Sequence, residues 1–280
     1  MLVYEPDSSF DEAYRAAVLE HVLVMLGLGI WNRFRLFLFF VSRSIMRRVR
    51  MKFPSFTCFL NILVNTFLRN LIVKLKGLKF TVGCQDHLMV ILPSFEWWSW
   101  RYINPEPTWV FIDAGAHIGK YTVQLAKHVK LVIAVEPHPF NYEYLQLNIR
   151  QNLLANVIAV NMALSSFEGK APLYIGEKAG HHSLKRNQGG GYITVDVTTL
   201  DALVAKLSLD RVDYIKIDVE GAEMDVLKGG TNVLCKFRPK LLIETQSLDE
   251  LKNYLSKFNY KVKIVAKGSL GGSYAYCIPA

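Results

Sequence analysis

Asp113, Glu136, Asp218 and Glu244 each close a run of apolar residues, in WVFIDAGAHIG, IAVEPHPF, VDYIKIDVEG and PKLLIETQ. A carboxylate at the carboxyl end of a buried strand is delivered to the rim where open α/β sheets bind their ligands. Glu220 follows Asp218 by two residues and precedes Gly221, so three carboxylates, Asp218, Glu220 and Glu244, reach one edge. Such groups can take a proton from a hydroxyl as its oxygen attacks, and Asp218 is the first candidate for that base. His181 and His182, in the stretch HHSLKRNQGGG, add two more bases if that loop folds over the site. The same three carboxylates also have the oxygen chemistry of a divalent-cation site, but nothing in their spacing requires a metal and none is assigned. Structural roles compete with each of these: Asp218 could only fix a ligand, Glu220 could cap the helix that follows, and the histidine pair could be solvated.

The block from Trp109 to Lys127 ends a strand in Asp113, turns through Gly115 and Ala116, and opens a helix at Gly119. Small residues let a backbone approach a ligand closely, and a helix start offers N–H donors. This is the turn of a nucleotide-type cofactor, but it lacks the G-x-G-x-x-G spacing that seats a dinucleotide pyrophosphate, and the Gly-Lys-Ser/Thr ending of a P-loop. A carboxylate beside the ligand suits a cation, and S-adenosylmethionine carries a sulfonium and an ammonium. Glu136, 23 residues after Asp113, can accept both ribose hydroxyl protons of an adenosine, with Pro137 fixing the turn behind it. Asn161 and Ala163, at the end of the third apolar run, are expected on the adenine side of the cleft.

Together these motifs resemble the FkbM-type methyltransferase family. FIDAGAHIGKYT is similar to its first motif, AVEPHPFNYEYLQLN to its second, ALSSFEG to its third, and IKIDVEGAEMDVLKGG to its hallmark. The resemblance covers about Asp86 to Thr245 and departs at His117, where the family generally has asparagine. It implies an S-adenosylmethionine-dependent O-methyltransferase acting on a hydroxyl of a saccharide or related metabolite, with a lipid-linked glycan among the candidates. The alternative function is an RNA methyltransferase or nucleic-acid-binding protein that uses the basic N-terminal segment as its binding arm.

The elements that must position these residues alternate strand and helix, which predicts a Rossmann-like α/β domain: a mainly parallel, seven-stranded sheet with helices on both faces, as the resemblance to class I methyltransferases also implies. Its strands are expected at Thr108–Ala114, Leu131–Glu136, Val157–Asn161, Val212–Asp218 and Lys240–Thr245, with YKVKIVA and SYAYCI closing the sheet through an antiparallel edge strand. LKFTVG and HLMVILP read as short strands ahead of it. APLYI and YITVDV lie in a less regular stretch between the third and fourth strands. The division expected is a helical, basic and apolar extension over residues 1–79 and a methyltransferase domain over residues 80–280.

The net charge of +9 is concentrated in that extension, where eleven Lys and Arg and no Asp or Glu fall between His21 and Gln85. Its most apolar stretch, Val22–Val41, is broken by Arg33 and Arg35, which fits a helix lying at an anionic membrane surface better than one crossing it. A helical cap with solvated arginines is the competing reading. Four scattered cysteines, and Glu5, Asp7, Asp11 and Glu12 where a signal peptide would be basic, give the expectation of a cytoplasmic protein, peripheral at the membrane.

Overall fold

The computed structural model describes residues 29–49, 54–176, 182–185, 190–267 and 272–280. Its packing falls into two compact units, residues 1–99 and 100–280. The division expected at 79/80 lies inside a strand of the first unit.

In that first unit, helices α1 (Ile30–Val49) and α2 (Pro54–Leu68) pack together, and Leu36, Phe39, Val64 and Leu68 are buried. The Arg35 guanidinium donates to the carbonyls of Phe67 and Arg69, so this interrupting charge satisfies orphan carbonyls at the end of α2. Strands β1 (Leu71–Leu75) and β2 (Leu78–Val82) form an antiparallel hairpin whose two-residue turn, Lys76-Gly77, has both φ angles positive, the geometry that matches strand twist. Next comes helix α3 (Gln85–Ile91), where HLMVILP reads as a strand. Its buried residues, His87, Leu88 and Ile91, repeat at helical spacing, and a short apolar run alone does not distinguish the two periods. The first seven residues of the Val22–Val41 stretch lie outside the described residues. Among the described residues no helix is long and apolar enough to cross a membrane.

The second unit carries β3 (Val110–Ala114), α4 (Lys120–Leu125), β4 (Leu131–Val135), α5 (Pro139–Gln151), β5 (Val157–Val160), β6 (Ala163–Ser165), β7 (Gly169–Tyr174), β8 (Tyr192–Thr199), α6 (Leu200–Lys206), β9 (Tyr214–Ile217), α7 (Glu223–Lys228), α8 (Thr231–Phe237), β10 (Lys240–Thr245), α9 (Leu248–Ser256), β11 (Tyr260–Lys267) and β12 (Ser273–Pro279). Seven of the strands form one sheet in the order β11-β12-β10-β9-β3-β4-β5. The five from β10 to β5 are parallel, while β12 is antiparallel to both its neighbours. The expected Rossmann-like sheet is therefore present, with one difference: the antiparallel strand is not at the edge. It slots between β10 and β11, because the crossover through α9 carries β11 one position too far and the return strand fills the gap.

Alternation sorts the central strands into two faces. Ile112, Ala114, Ile133, Val135, Ile215 and Ile217 pack with Leu203, Val226, Leu227, Leu234 and Leu251 in the larger core, on the side of α6 to α9. Ala134 packs with Ala116 and Leu145 on the side of α5. Strands β6, β8 and β7 make a separate three-stranded sheet around Ala163, Leu173, Val195 and Val197. Ala163, expected on the adenine side of the cleft, packs in this small core.

The small sheet is held to the main body where β6 meets the α7–α8 junction. A Cβ on Gly229 would stand 2.1 Å from the Ser165 carbonyl oxygen, while its N–H and carbonyl bond to Asp225 and Asp201. Gly229→Ala is expected to destabilise by about 1–3 kcal/mol as the carbonyl is displaced, a fall of roughly 2–10 °C in the thermal denaturation midpoint.

Candidate active site

The sheet order reverses direction between β3 and β9, and a crevice opens at the carboxyl ends of strands at such a point. Register sets Asp113 beside Lys216, and alternation puts Asp218 on the same face two residues on. Toward the amino ends that face is aromatic, with Phe111 and Trp109 stacked on Tyr214 at 5.3 and 5.7 Å. Toward the carboxyl ends it is charged. Lys216, only 4% exposed, donates to Asp218 Oδ2 at 2.9 Å and lies 4.9 Å from the centroid of the Tyr121 ring. A buried ammonium needs such compensation, here two carboxylates and a π face.

Burial works to raise the Asp218 carboxyl, but Lys216, a hydrogen bond with Glu244 and the charge of Lys120 hold it below the usual range. Glu244 goes the other way. Burial and the negative charges of Asp218 and Glu220 push it up to about 9, against a donated bond from the Tyr274 hydroxyl at 3.1 Å. The opposed shifts favour a single proton on the pair at neutral pH, toward Glu244. Oxygens of Asp218, Glu220 and Glu244 lie within 4.8 Å of one another, so the three expected carboxylates converge.

A second cluster forms at the end of β4. Glu136 is 5% exposed and accepts from the backbone N–H groups of His117 and His138, each at 2.9 Å. Burial still pushes its carboxyl up to about 7. Asn161 donates to the carbonyls of Glu136 and Pro137, which fixes the turn from behind. The N–H groups of Gly115 and Ala116 both donate to the Val135 carbonyl. These bonds tie the β3–α4 turn to β4.

The glycines serve a related purpose. Gly115 has φ +81° and its missing Cβ would lie 1.8 Å from the Asp218 carbonyl oxygen, while Gly119 has φ +91° and a Cβ there would meet Leu145 at 2.8 Å. Asp113 is fully buried, and its Oδ2 accepts from both the N–H and the hydroxyl of Thr122, anchoring α4. Its Oδ1 accepts no hydrogen bond among the described residues, and burial raises this carboxyl against the pull of Lys216 and Thr122.

Residues 182–185 bridge the two clusters. Ser183 donates to the Glu220 carbonyl at 2.6 Å, Lys185 pairs with Asp225, and the His182 ring stacks on His138 at 3.9 Å. His182 Nδ1 also accepts from the Gly176 N–H. His181 lies outside the described residues. Glu220 has φ +55°, and the side chain that receives the Gly221 N–H is that of Glu223, at 2.7 Å, not Glu220.

Lys216, Ser183 and Tyr274 are absent from the sequence-based set. Lys216 alone had a visible signal, as a charged residue inside the otherwise apolar strand YIKI, where burial demands a partner. Ser183 and Tyr274 reach the site by long-range pairing that no local pattern records.

Residues 113–262 match the methyltransferase FkbM domain family. The chain is 32% identical over 184 residues to methyltransferase sdnD of Sordaria araneosa, covering 54% of this chain and 65% of that protein. It is 30% identical over 125 residues to hexuronic acid methyltransferase AglP of Haloferax volcanii, covering 45% and 51%. The match thus spans less than two thirds of the length of each relative. The crystal structure of methyltransferase FkbM from Methylobacillus flagellatus aligns with a TM-score of 0.50 at 20% identity, over 62% of this chain and 44% of that one, which shows a shared fold.

The Asp218–Glu244 pair makes stability depend on pH. Folded Glu244 keeps its proton up to about pH 9, where the unfolded residue releases it near its ordinary 4.5. Its contribution is complete below pH 4.5 and is lost as pH rises toward 9. Glu244→Gln, which cannot ionise, should therefore gain stability relative to the native chain as pH climbs from about 5 to 9 in denaturant titrations. Parallel curves would show that no proton is held there.

Proposed function

Because the chain belongs to the methyltransferase FkbM domain family, we propose that it transfers the methyl group of S-adenosylmethionine to a hydroxyl of a saccharide or a related hydroxylated metabolite. The observation that carries this reading is the convergence of Asp218, Glu220 and Glu244 at the strand ends that face the crevice, with buried Lys216 donating to Asp218.

The residues present fit the cofactor. Glu136 receives two backbone N–H groups and the Asn141 amide, and a carboxylate has about four acceptor positions, so a ribose hydroxyl can still be accepted. Asp113 retains an unused oxygen near the turn, suited to a cationic ligand, and the glycines let the β3 turn sit against the end of β9. When bound, S-adenosylmethionine supplies a methyl carbon already activated by a sulfonium.

The protein's own work is then orientation and removal of one proton. Asp218 is the base because Lys216 keeps it charged at neutral pH; it takes the hydroxyl proton as the acceptor oxygen attacks. Glu244 cannot take that proton, since it already has one, but it offers a hydrogen-bond donor to Asp218. Glu220, third in the cluster, holds a further acceptor for a polyhydroxylated substrate. The archaeal relative whose name specifies hexuronic acid supports a sugar as the acceptor.

Incubation of the purified chain with methyl-labelled cofactor and a cellular extract should label the saccharide fraction. Calorimetry that detects no heat with the cofactor or its demethylated product would overturn the reading. Asp218→Asn is expected to lower kcat about 10²- to 10⁴-fold, with cofactor affinity within a few-fold. Glu136→Gln should do the reverse, weakening cofactor binding about tenfold or more through loss of charged hydrogen-bond acceptors.

A further inference from the structure

We propose that the N-terminal unit docks on an anionic phospholipid surface, with one face of α1 entering the headgroup boundary and the β1–β2 hairpin supplying the charge.

Helix α1 has two apolar sides. Leu36 and Phe39 are buried, whereas Ile30, Phe34, Phe37 and Val41 recur at intervals of four, three and four and are 81%, 48%, 63% and 39% exposed. That spacing makes a single stripe along the helix. Trp31, 74% exposed, packs its ring edge-on to Phe34. Helix α2 adds Ile62, Leu63 and Phe67 to the exposed apolar surface of the same unit. Two apolar aromatics, an indole and aliphatic groups in one row are costly to leave in water, and the row is of the kind that lies in a membrane interface.

The charge of the unit names the occupant. Lys74 and Lys79 are directly paired across the hairpin and both point to its exposed face, with exposed Lys76 at the turn between them. Exposed Arg33 flanks the apolar stripe and exposed Arg69 lies just beyond the end of α2. No Asp or Glu falls anywhere between His21 and Gln85. An apolar protein partner would not use the lysines, and a nucleic acid would not use the stripe of Ile, Phe and Val; an anionic bilayer uses both.

The test is co-sedimentation of the full chain with vesicles of phosphatidylcholine alone or with about one third phosphatidylglycerol, beside a filter-binding assay on total RNA. Binding to the anionic vesicles is expected, falling at least tenfold without phosphatidylglycerol or when salt is raised about tenfold. Phe34→Ser/Phe37→Ser should lose about tenfold or more in vesicle affinity, and Lys74→Gln/Lys79→Gln about tenfold at low salt. Both pairs are exposed, so unchanged thermal midpoints would show that folding is intact. No vesicle binding overturns the proposal. So does RNA retention that the lysine variant abolishes and the phenylalanine variant leaves unchanged, and so does self-association removed by the phenylalanine variant in the absence of vesicle binding.

Discussion

A single buried ammonium organises the catalytic unit. Lys216 stands at the switch point of the sheet, paired in register with Asp113 on one strand and bonded to Asp218 two residues along its own. Water cannot compensate it at 4% exposure, so both carboxylates and the Tyr121 ring are committed to it. Asp218 is charged for this reason, and Glu244 keeps a proton because Asp218 is charged. The acid–base asymmetry of two neighbouring carboxyls thus follows from one residue that belongs to the strand.

The rest of the site is built so that this arrangement cannot drift. Two clusters lie on opposite sides of the switch point, one around Glu136 and the other around Asp218. Gly115 lets the β3 turn lie against the backbone at Asp218, and its N–H donates to the carbonyl that precedes Glu136. Ser183 and His182 then join the Glu220 carbonyl to the His138 ring from above the sheet. A few backbone bonds therefore carry the relative placement of both clusters, which is the economy expected of strand-end loops on a rigid scaffold.

Much of this was legible in the sequence because strand ends are punctuated. Apolar runs that stop at Asp113, Glu136, Asp218 and Glu244 located four of the central strands to within a few residues and brought Asp218, Glu220 and Glu244 to one edge. What was not legible required tertiary context. HLMVILP is apolar throughout and carries no period to separate helix from strand. Ala163 looks like the end of β5 but has moved to a second sheet, because β6 pairs with β8, more than thirty residues away. The Gly115 and Ala116 N–H groups bond the Val135 carbonyl, a contact that depends on where β4 lies. Lys216 was visible as an anomaly in YIKI, but its consequence for Glu244 appears only once β9 and β10 are aligned.

The position of β12 bears on how the second unit comes into being. It is the last strand to leave the ribosome among the seven of the main sheet, yet it occupies an interior slot, between β10 and β11, and it brings Tyr274 to Glu244. Domains assemble as units during synthesis, amino end first. A nascent chain that has already made Asp113, Glu136, Asp218 and Glu244 still has an open seam beside β10 until β12 emerges to fill it. The carboxylate cluster at the β10 edge is therefore completed only when β12 has paired there.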